Sequence, residues 1–344
     1  MTSVPRYFLR PLGALLAAGL LAAGCGGDSG DDEAEAGGKE SGEPSEDTTE
    51  AAFPVDVDHK YGTTTIPAEP ERVVTLGLSD HDPVLALGVV PVGVDDWFGE
   101  RPFGIWPWED GLWGDVEPEI VGERDEYNIE KIASLTPDLI IAMYSGMTEA
   151  QYDTLSEIAP VVAQPVGFDD YAAPWQDMTL HAGRALGQEE KAQELVDGID
   201  EQLAAVRDEH PEFEGQTVAV VDPYQPGLYA VFAGYDPKVA LLVEMGYVVP
   251  DEIVEAAGDD YAAEISSERL DLIDVDRLLF LTGPEGASQA EIEADSVFAS
   301  LDVAKEDRAV YVPYDEPPIG GALSFSTVLS IPYAIEQLVP LLAE

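Results

Sequence analysis

Apolar residues recur at helical spacing across residues 188–210. Ala192, Leu195, Val196, Ile199, Leu203 and Val206 fall at offsets 0, 3, 4, 7, 11 and 14, one stripe with a period of about 3.6 residues. Glu190, Glu194, Asp197 and Glu201 occupy the other faces, with Gly187 before the stretch and Pro211 after it. A helix of this length spans roughly 35 Å at 1.5 Å per residue, about the width of a small domain. Strand-like runs alternate with helical patterns on both sides of it. The pattern predicts a rigid strut between two α/β lobes, with a cleft between them.

Before the strut, residues 61–66 alternate as a short strand and 72–76 form a continuous apolar run, a buried strand. Ser79 with Asp82 gives a capping-box pattern opening a helix that ends before Gly88. A short strand at 89–94 leads to a loop at 95–114 that contains Trp97, Phe98, Phe103, Trp106, Trp108 and Trp113. Helices follow at 128–135, 148–158 and 174–186, and strands at 138–143 and 161–163. After the strut come strands at 217–221, 228–233, 277–281 and 309–312. Helices are expected at 237–245, 267–273, 291–301 and 326–342, the last bent or started near Pro332. The fold class is therefore α/β: two Rossmann-like lobes joined by one long α-helix. Mostly parallel sheets have helices on both faces, and ligands sit beyond the carboxyl ends of their strands.

The N-terminus changes the picture of where the protein works. Arg6 and Arg10 precede an apolar run at 12–23 that is too short for a confident membrane span and reads as a secretory signal. It ends at Ala22-Ala23-Gly24-Cys25, and Cys25 is the only cysteine. With no second thiol, the chain forms no intramolecular disulfide. Residues 26–52 are rich in Gly, Ser and acids, without aromatics or branched aliphatics, and read as a flexible tether. The expected organisation is a signal peptide at 1–24, Cys25 and tether at 25–52, an N-terminal lobe at 53–186, the interlobe helix at 187–210 and a C-terminal lobe at 211–344.

The formal charge of −53 excludes a nucleic-acid partner, which needs a basic footprint. It also opposes entry of a highly anionic ligand.

Two segments repeat. Residues 128–141 read NIEKIASLTPDLII and 266–279 read SSERLDLIDVDRLL; aligning Glu130 with Glu268 pairs Lys131 with Arg269, Leu135 with Ile273 and Asp138 with Asp276 at a constant offset of 138 positions. This is a duplicated helix–turn–strand unit, one per lobe. Each glutamate sits in a first helical turn, where a carboxylate is favoured. Equivalent placement on two lobes suggests a two-point docking surface.

These features together resemble the ABC-transporter substrate-binding lipoproteins that deliver ferric siderophores, cobalamin or haem, the class with a single-helix hinge. The resemblance is carried by the small-residue box before Cys25, by IPAEPERVVTLG and ALGVVPVGV, by the two duplicated units, and by the LSFSTVLSIPYAIEQLVPLL close. It covers nearly all of residues 54–344. The box departs from the commonest form in having Ala22 three residues before the cysteine, with Leu21 one further back. The resemblance implies that Cys25 is lipidated and that the protein is a monomer held on the outer face of the cytoplasmic membrane. It also implies that Glu130 and Glu268 dock on a permease dimer served by a cytoplasmic ATPase. It implies no cofactor and no metal ligand of the protein's own, since iron arrives inside its chelator. Arg124, six residues before Glu130, occupies the place of an arginine that contacts the iron-bound oxygens in hydroxamate binders. The plain alternative for Arg124 is a surface ion pair with Asp125 or Glu126.

A hydroxamate complex would need aromatic walls and a few donors. Trp97, Phe98, Trp106 and Trp108 are candidates from the aromatic loop, and Tyr144 and Ser145 from the end of the strand at 138–143. Tyr224, Tyr229 and Tyr235 are candidates from the second lobe, with Phe325 before the closing helix. Haem, which would need an axial group such as His81, Met143 or Tyr144, and cobalamin are the alternatives on the same fold. A bare-metal carrier would need converging histidines, yet His59, His81, His181 and His210 are widely spread. A surface-anchored hydrolase is the remote alternative: there is no G-x-S-x-G elbow and no H-E-x-x-H, and no enzyme is expected.

Overall fold

Period-two alternation at the start of the folded chain forms a hairpin. In the computed structural model, which describes residues 53–97, 106–283 and 288–344, β1 (Val55–His59) pairs antiparallel with β2 (Gly62–Ile66), and both bury alternate residues. The described residues belong to one unit, Thr49–Glu344. Cys25 and Phe98 lie outside them, as do residues 1–52.

The chain then runs β3 (Val73–Thr75), α1 (His81–Ala86), β4 (Gly93–Val94), β5 (Glu119–Ile120), a small hairpin of β6 (Gly122–Glu123) and β7 (Glu126–Tyr127), and α2 (Ile129–Ser134). It continues through β8 (Leu139–Ala142), α3 (Glu149–Ser156), β9 (Val161–Ala163), α4 (Trp175–Ala185) and α5 (Glu189–Glu209). The first sheet has the order β5-β4-β3-β8-β9 and is parallel throughout. β3, β8 and β9 are buried at every position, the reason they are continuous apolar runs rather than alternating ones.

The second half runs β10 (Val218–Gln225), β11 (Leu228–Phe232), α6 (Pro237–Glu244), α7 (Asp251–Ala257), β12 (Ala262–Ser266), a 3-10 segment Ser267–Ile273 and β13 (Arg277–Thr282). It ends with α8 (Gln289–Ala294), α9 (Asp302–Lys305), β14 (Ala309–Pro313), α10 (Ile319–Phe325) and α11 (Ser330–Leu342). The sheet order is β12-β11-β10-β13-β14. Here β10, β13 and β14 are parallel, but β11 is antiparallel to both neighbours, because Pro226-Gly227 turns the chain directly back after β10 where α1 crosses over in the first lobe.

α5 is the predicted strut, about 32 Å long. Its buried residues are Ala192, Val196, Ile199, Leu203 and Val206, five members of the predicted stripe. Ala192 belongs to the first lobe's core, whereas Ile199, Leu203 and Val206 belong to the second lobe's core; Leu195 packs against both. Each buried aliphatic contributes about 1.5–3 kcal/mol, so the helix is fixed by two separate cores.

The duplicated units keep a shared anchor. Asp138, just before β8, accepts the backbone N–H groups of Glu71 and Arg72 at 2.9 Å each. Asp276, just before β13, accepts the backbone N–H and the hydroxyl of Thr217 at 2.9 and 2.8 Å. In both lobes an aspartate at the foot of one strand holds the residue that leads into its parallel neighbour.

Two local expectations are corrected and one is met. Ser79 and Asp82 make no capping box: Asp80 is the N-cap of α1 and does not cap with its side chain, because that carboxylate is turned to other backbone groups described below. The helix expected at 326–342, bent or started near Pro332, is α11, which begins at Ser330 with Pro332 in its first turn, where a proline is tolerated; α10, before that range, ends at Phe325 and is followed by Ser326, left-handed at φ 41°. The helix expected at 267–273 is a 3-10 segment with non-helical angles at Arg269.

Candidate functional site

A cleft of 1070 Å³ opens between the lobes, at the upper end of the range for small-molecule sites. In the first lobe its walls come from the loops beyond the carboxyl ends of strands, as open α/β sheets dictate. Leu78 follows β3, Trp97 follows β4, Tyr144 follows β8 and Tyr171 follows β9. In the second lobe Tyr235 and Lys238 flank the start of α6, Tyr261 precedes β12 and Tyr314 follows β14.

The first-lobe wall is a chain of rings. Tyr171 meets Trp97 edge-on at 6.1 Å and Tyr144 at 5.1 Å between centroids. Tyr144 is held from beneath. The buried carboxylate of Asp80 accepts the N–H groups of Gly77, Met143 and Tyr144 at 2.9, 2.8 and 2.9 Å, tying the loop after β3 to the loop after β8. Gly77 permits this, since a Cβ there would lie 2.3 Å from the carboxylate. Burial pushes the Asp80 carboxyl up to about 6, against the pull of those three donors.

Arg124 sits at the tip of the β6–β7 hairpin, in the left-handed region at φ 56°. A two-residue hairpin turn calls for that conformation, though glycine or asparagine usually supplies it, so an arginine here is held at a cost. Its Nε donates to the carbonyl of Trp97 at 3.0 Å. Among the described residues no carboxylate pairs with it and its two Nη groups have no protein partner, so the ion pair with Asp125 or Glu126 does not form. The guanidinium faces the cleft with donors to spare.

Behind the tyrosines lies a second, narrower cavity of 230 Å³. It shares Tyr144, Tyr171 and Tyr235 with the cleft and is otherwise lined mainly by apolar residues such as Pro83, Met178 and Leu241. Trp175 and Gln176 on α4 close one side by donating to the Glu244 carboxylate on α6 at 3.3 and 3.1 Å.

Of the sequence candidates, Arg124, Trp97, Tyr144 and Tyr235 meet at the cleft, and Phe325 lines the inner cavity. Phe98 lies outside the described residues. Five others are placed elsewhere. Trp106 and Trp108 are stacked on each other at 4.9 Å, buried in the second lobe's core against Phe325; they wedge the lobes together rather than line a wall. Ser145 is buried and donates to the carbonyl of Ala142 at 2.9 Å, a turn brace. Tyr229 is buried in the second sheet's core with its hydroxyl 3.4 Å from Asp295. Tyr224 bonds Glu264 at 3.2 Å and lines neither cavity. Aromatic residues close in sequence give no signal for which side is core. Tyr171 was missed, although it follows β9 and the strand-end rule that selected Tyr144 selects it too.

His81 and Met143 are fully buried, which leaves Tyr144 alone at the cleft among the axial groups haem would need. His81 Nε2 lies 3.1 Å from Glu109 and 3.5 Å from Asp82. These three groups have donor atoms within 4.8 Å of one another. Trp113 donates to Glu109 at 2.7 Å and Thr327 donates to Asp82. Burial alone would lower the His81 pKa, but the bond to Glu109 and the charge of Asp82 raise it. The group is a buried ionic tie between α1 and the second lobe.

Glu130 and Glu268 are both exposed, in the first turns of α2 and of the 3-10 segment. Each segment feeds a parallel strand, β8 or β13, and a crossover segment runs back along its sheet. Both glutamates therefore lie at the carboxyl edge of their own sheet, the edge that borders the cleft.

Comparison with known proteins converges. The family model for periplasmic binding proteins matches residues 73–316. "Probable siderophore-binding lipoprotein YfiY" of Bacillus subtilis is 33% identical over 203 residues, which span 58% of each chain. A periplasmic solute binding protein of Mycobacterium smegmatis superposes with a TM-score of 0.73 at 33% identity, covering 84% of this chain and 97% of that one. PiaA of Streptococcus pneumoniae, solved in complex with ferrichrome, gives 0.71 at 29% identity with the same coverage.

Proposed function

The chain belongs to the periplasmic binding protein family, a family of solute-binding proteins rather than enzymes, and from that premise we propose that it captures a ferric siderophore outside the membrane and hands it to an ABC importer. A hydroxamate complex is the favoured cargo. The observation that carries this reading is the pairing, in one interlobe cleft, of Arg124 with an aromatic wall of Trp97, Tyr144 and Tyr171. The guanidinium offers paired donors to the iron-bound oxygens, the rings cover the organic periphery, and the protein contributes no ligand to the iron.

Glu130 and Glu268 are the docking points on the permease, and Cys25 is the lipid attachment that keeps the chain at the outer face of the membrane. One lipid chain binds reversibly, while several hold firmly, at about 0.8 kcal/mol per buried CH₂. Lobe closure amounts to a few degrees, because α5 is fixed in both cores and the Trp106–Trp108 wedge and the Asp82–Thr327 contact add further ties.

Titration with a ferric trihydroxamate, followed by tryptophan emission, tests the reading. Saturable quenching is expected, much reduced in Trp97→Phe, the one tryptophan among the described residues that lines the cleft. Quenching by haem or cobalamin but not by the hydroxamate would reject it.

A further inference from the structure

Protein interiors are packed closely enough that voids beyond the size of a water molecule are few. The inner cavity, at 230 Å³, is far outside that range. It lies between the lobes: α1 and α4 wall it from the first, α6 and the link from α10 to α11 from the second. Pro83, Met178, Leu241, Phe325 and Val328 give it an apolar lining, and all five are buried.

The polar side chains that α4, α6 and the link bring to this lining are already engaged. Both Glu244 oxygens accept from α4, through Trp175 and Gln176. Thr179 donates to the Trp175 carbonyl at 2.8 Å, Ser326 to the Leu323 carbonyl at 2.6 Å, and Thr327 to Asp82. A charged or polar group entering here would shed its water and find few partners, which is costly. An apolar group incurs no such cost.

The cavity adjoins the outer cleft, since Tyr144, Tyr171, Ala172, Tyr235 and Pro237 line both. Tyr171 comes from the first lobe and Tyr235 from the second, and their hydroxyls donate to the carbonyls of Ser145 and Asp259 at 3.3 and 3.2 Å. With the hydroxyls tied back, the rings offer apolar surface at the junction of the two spaces. The capacity of the cavity sets the size of its occupant. An apolar cavity of about 150 Å³ takes up benzene, so in proportion this one has room for about nine carbons at most.

Resting on the ferric hydroxamate reading, we infer that the cargo bears one neutral aliphatic chain of about six to nine carbons, which enters the inner cavity past Tyr144, Tyr171 and Tyr235 while the chelate stays in the outer cleft against Arg124. The protein thereby selects amphiphilic ferric complexes over their unacylated counterparts.

The test uses one linear ferric trihydroxamate whose terminal amine is acylated with an acetyl, a hexanoyl or a dodecanoyl group. Charge and chelate stay constant while the chain lengthens. Dissociation constants are read by calorimetric titration below the micelle concentration of each form. The hexanoyl form should bind about 10- to 100-fold more tightly than the acetyl form, burial of each CH₂ being worth about fourfold at most. The dodecanoyl form should gain little more, because its chain outgrows the cavity. Ala240 lines the inner cavity and not the outer cleft. Ala240→Phe should therefore remove the hexanoyl advantage and leave acetyl affinity unchanged; a melting curve checks folding, and Ala240→Leu serves if the larger ring is not tolerated. Equal affinity for the acetyl and hexanoyl forms overturns the chain inference while leaving hydroxamate capture intact. Affinity that keeps climbing to dodecanoyl and ignores the Ala240 variants overturns it too, as unspecific apolar binding. Binding of none of the three forms overturns both readings.

Discussion

The two lobes place five strands in the same order, and each carries a helix-then-strand unit that exposes a glutamate and anchors an aspartate. They part at the second strand. In the first lobe β3 is followed by α1 and a crossover, so β4 runs parallel; in the second, β10 turns straight into β11, which runs antiparallel. The crossover gives the first lobe a buried carboxylate, Asp80, beneath the cleft wall, and the long loop after β4 sends Trp106 and Trp108 into the other lobe. The second lobe, without that insertion, brings the Asp236–Lys238 pair and the Gly258–Tyr261 loop to the cleft. What is shared between the lobes holds the sheets together and carries the two glutamates proposed to dock; what differs lines the cleft.

The largest expected effect breaks the shared part. Glu130→Ala with Glu268→Ala should abolish siderophore-dependent iron uptake by cells that rely on this protein, with ligand affinity retained, and each single change should cost a comparable share. If one glutamate accounts for the whole loss, the duplication is structural only; if affinity falls with uptake, the docking assignment fails.

The next contrast is between the two cleft cations. Arg124→Ala should weaken ferric hydroxamate binding by about 10- to 100-fold, the range for lost hydrogen bonds to a charged group. Lys238→Met should change it by less than about threefold, because that ammonium is occupied by Asp236. Calorimetric titration of both variants decides, and similar losses would erase the proposed difference between the walls.

A third contrast concerns pH. The first lobe buries Asp95, whose carboxyl is pushed up to about 8 by burial and by the neighbouring charges of Asp96, Asp125 and Glu123, along with Asp80 at about 6. An acid whose folded pKa is raised binds more protons when folded, so stability falls as pH climbs from about 4 toward the folded value. Stability of the chain should therefore decline from pH 6 to pH 8. Asp95→Asn should add about 1–2 kcal/mol at pH 8 and little at pH 4, where the folded carboxyl is protonated and the unfolded one about half so. Urea melts at the two pH values measure this, and an equal gain at both would point to packing instead.

The smallest effect compares the paired anchors. Asp138→Ala and Asp276→Ala should each cost about 1 kcal/mol by loss of two hydrogen bonds at the surface. The bonds to Thr217 hold the Asp276 carboxyl below its ordinary value. Its contribution is therefore present above pH 4 and is lost as pH falls through the lower, folded value. A cost in one lobe several times that in the other would show that the duplicated units no longer carry equal weight.

Much of this architecture was legible in the amino-acid sequence. The 3.6-residue stripe from Ala192 to Val206 fixes a helix and its buried face, because only that face can leave water. Continuous apolar runs at β3, β8 and β9 announce strands covered on both sides, and the constant spacing between Glu130 and Glu268 reveals the repeat. Arg124 and Tyr144 were recoverable from motif position and from the strand-end rule. Tertiary structure alone decided that Trp106 and Trp108 join a core while Trp97 reaches the cleft, that Asp80 braces backbone instead of capping a helix, and that Asp169 lines the same cleft as Asp259 and Asp260. Local pattern reports which face of an element avoids water, and that requires only neighbours in sequence. Which aromatic ring fills a core and which carboxylates share a field depend on contacts between segments far apart in the chain, and no local period encodes those.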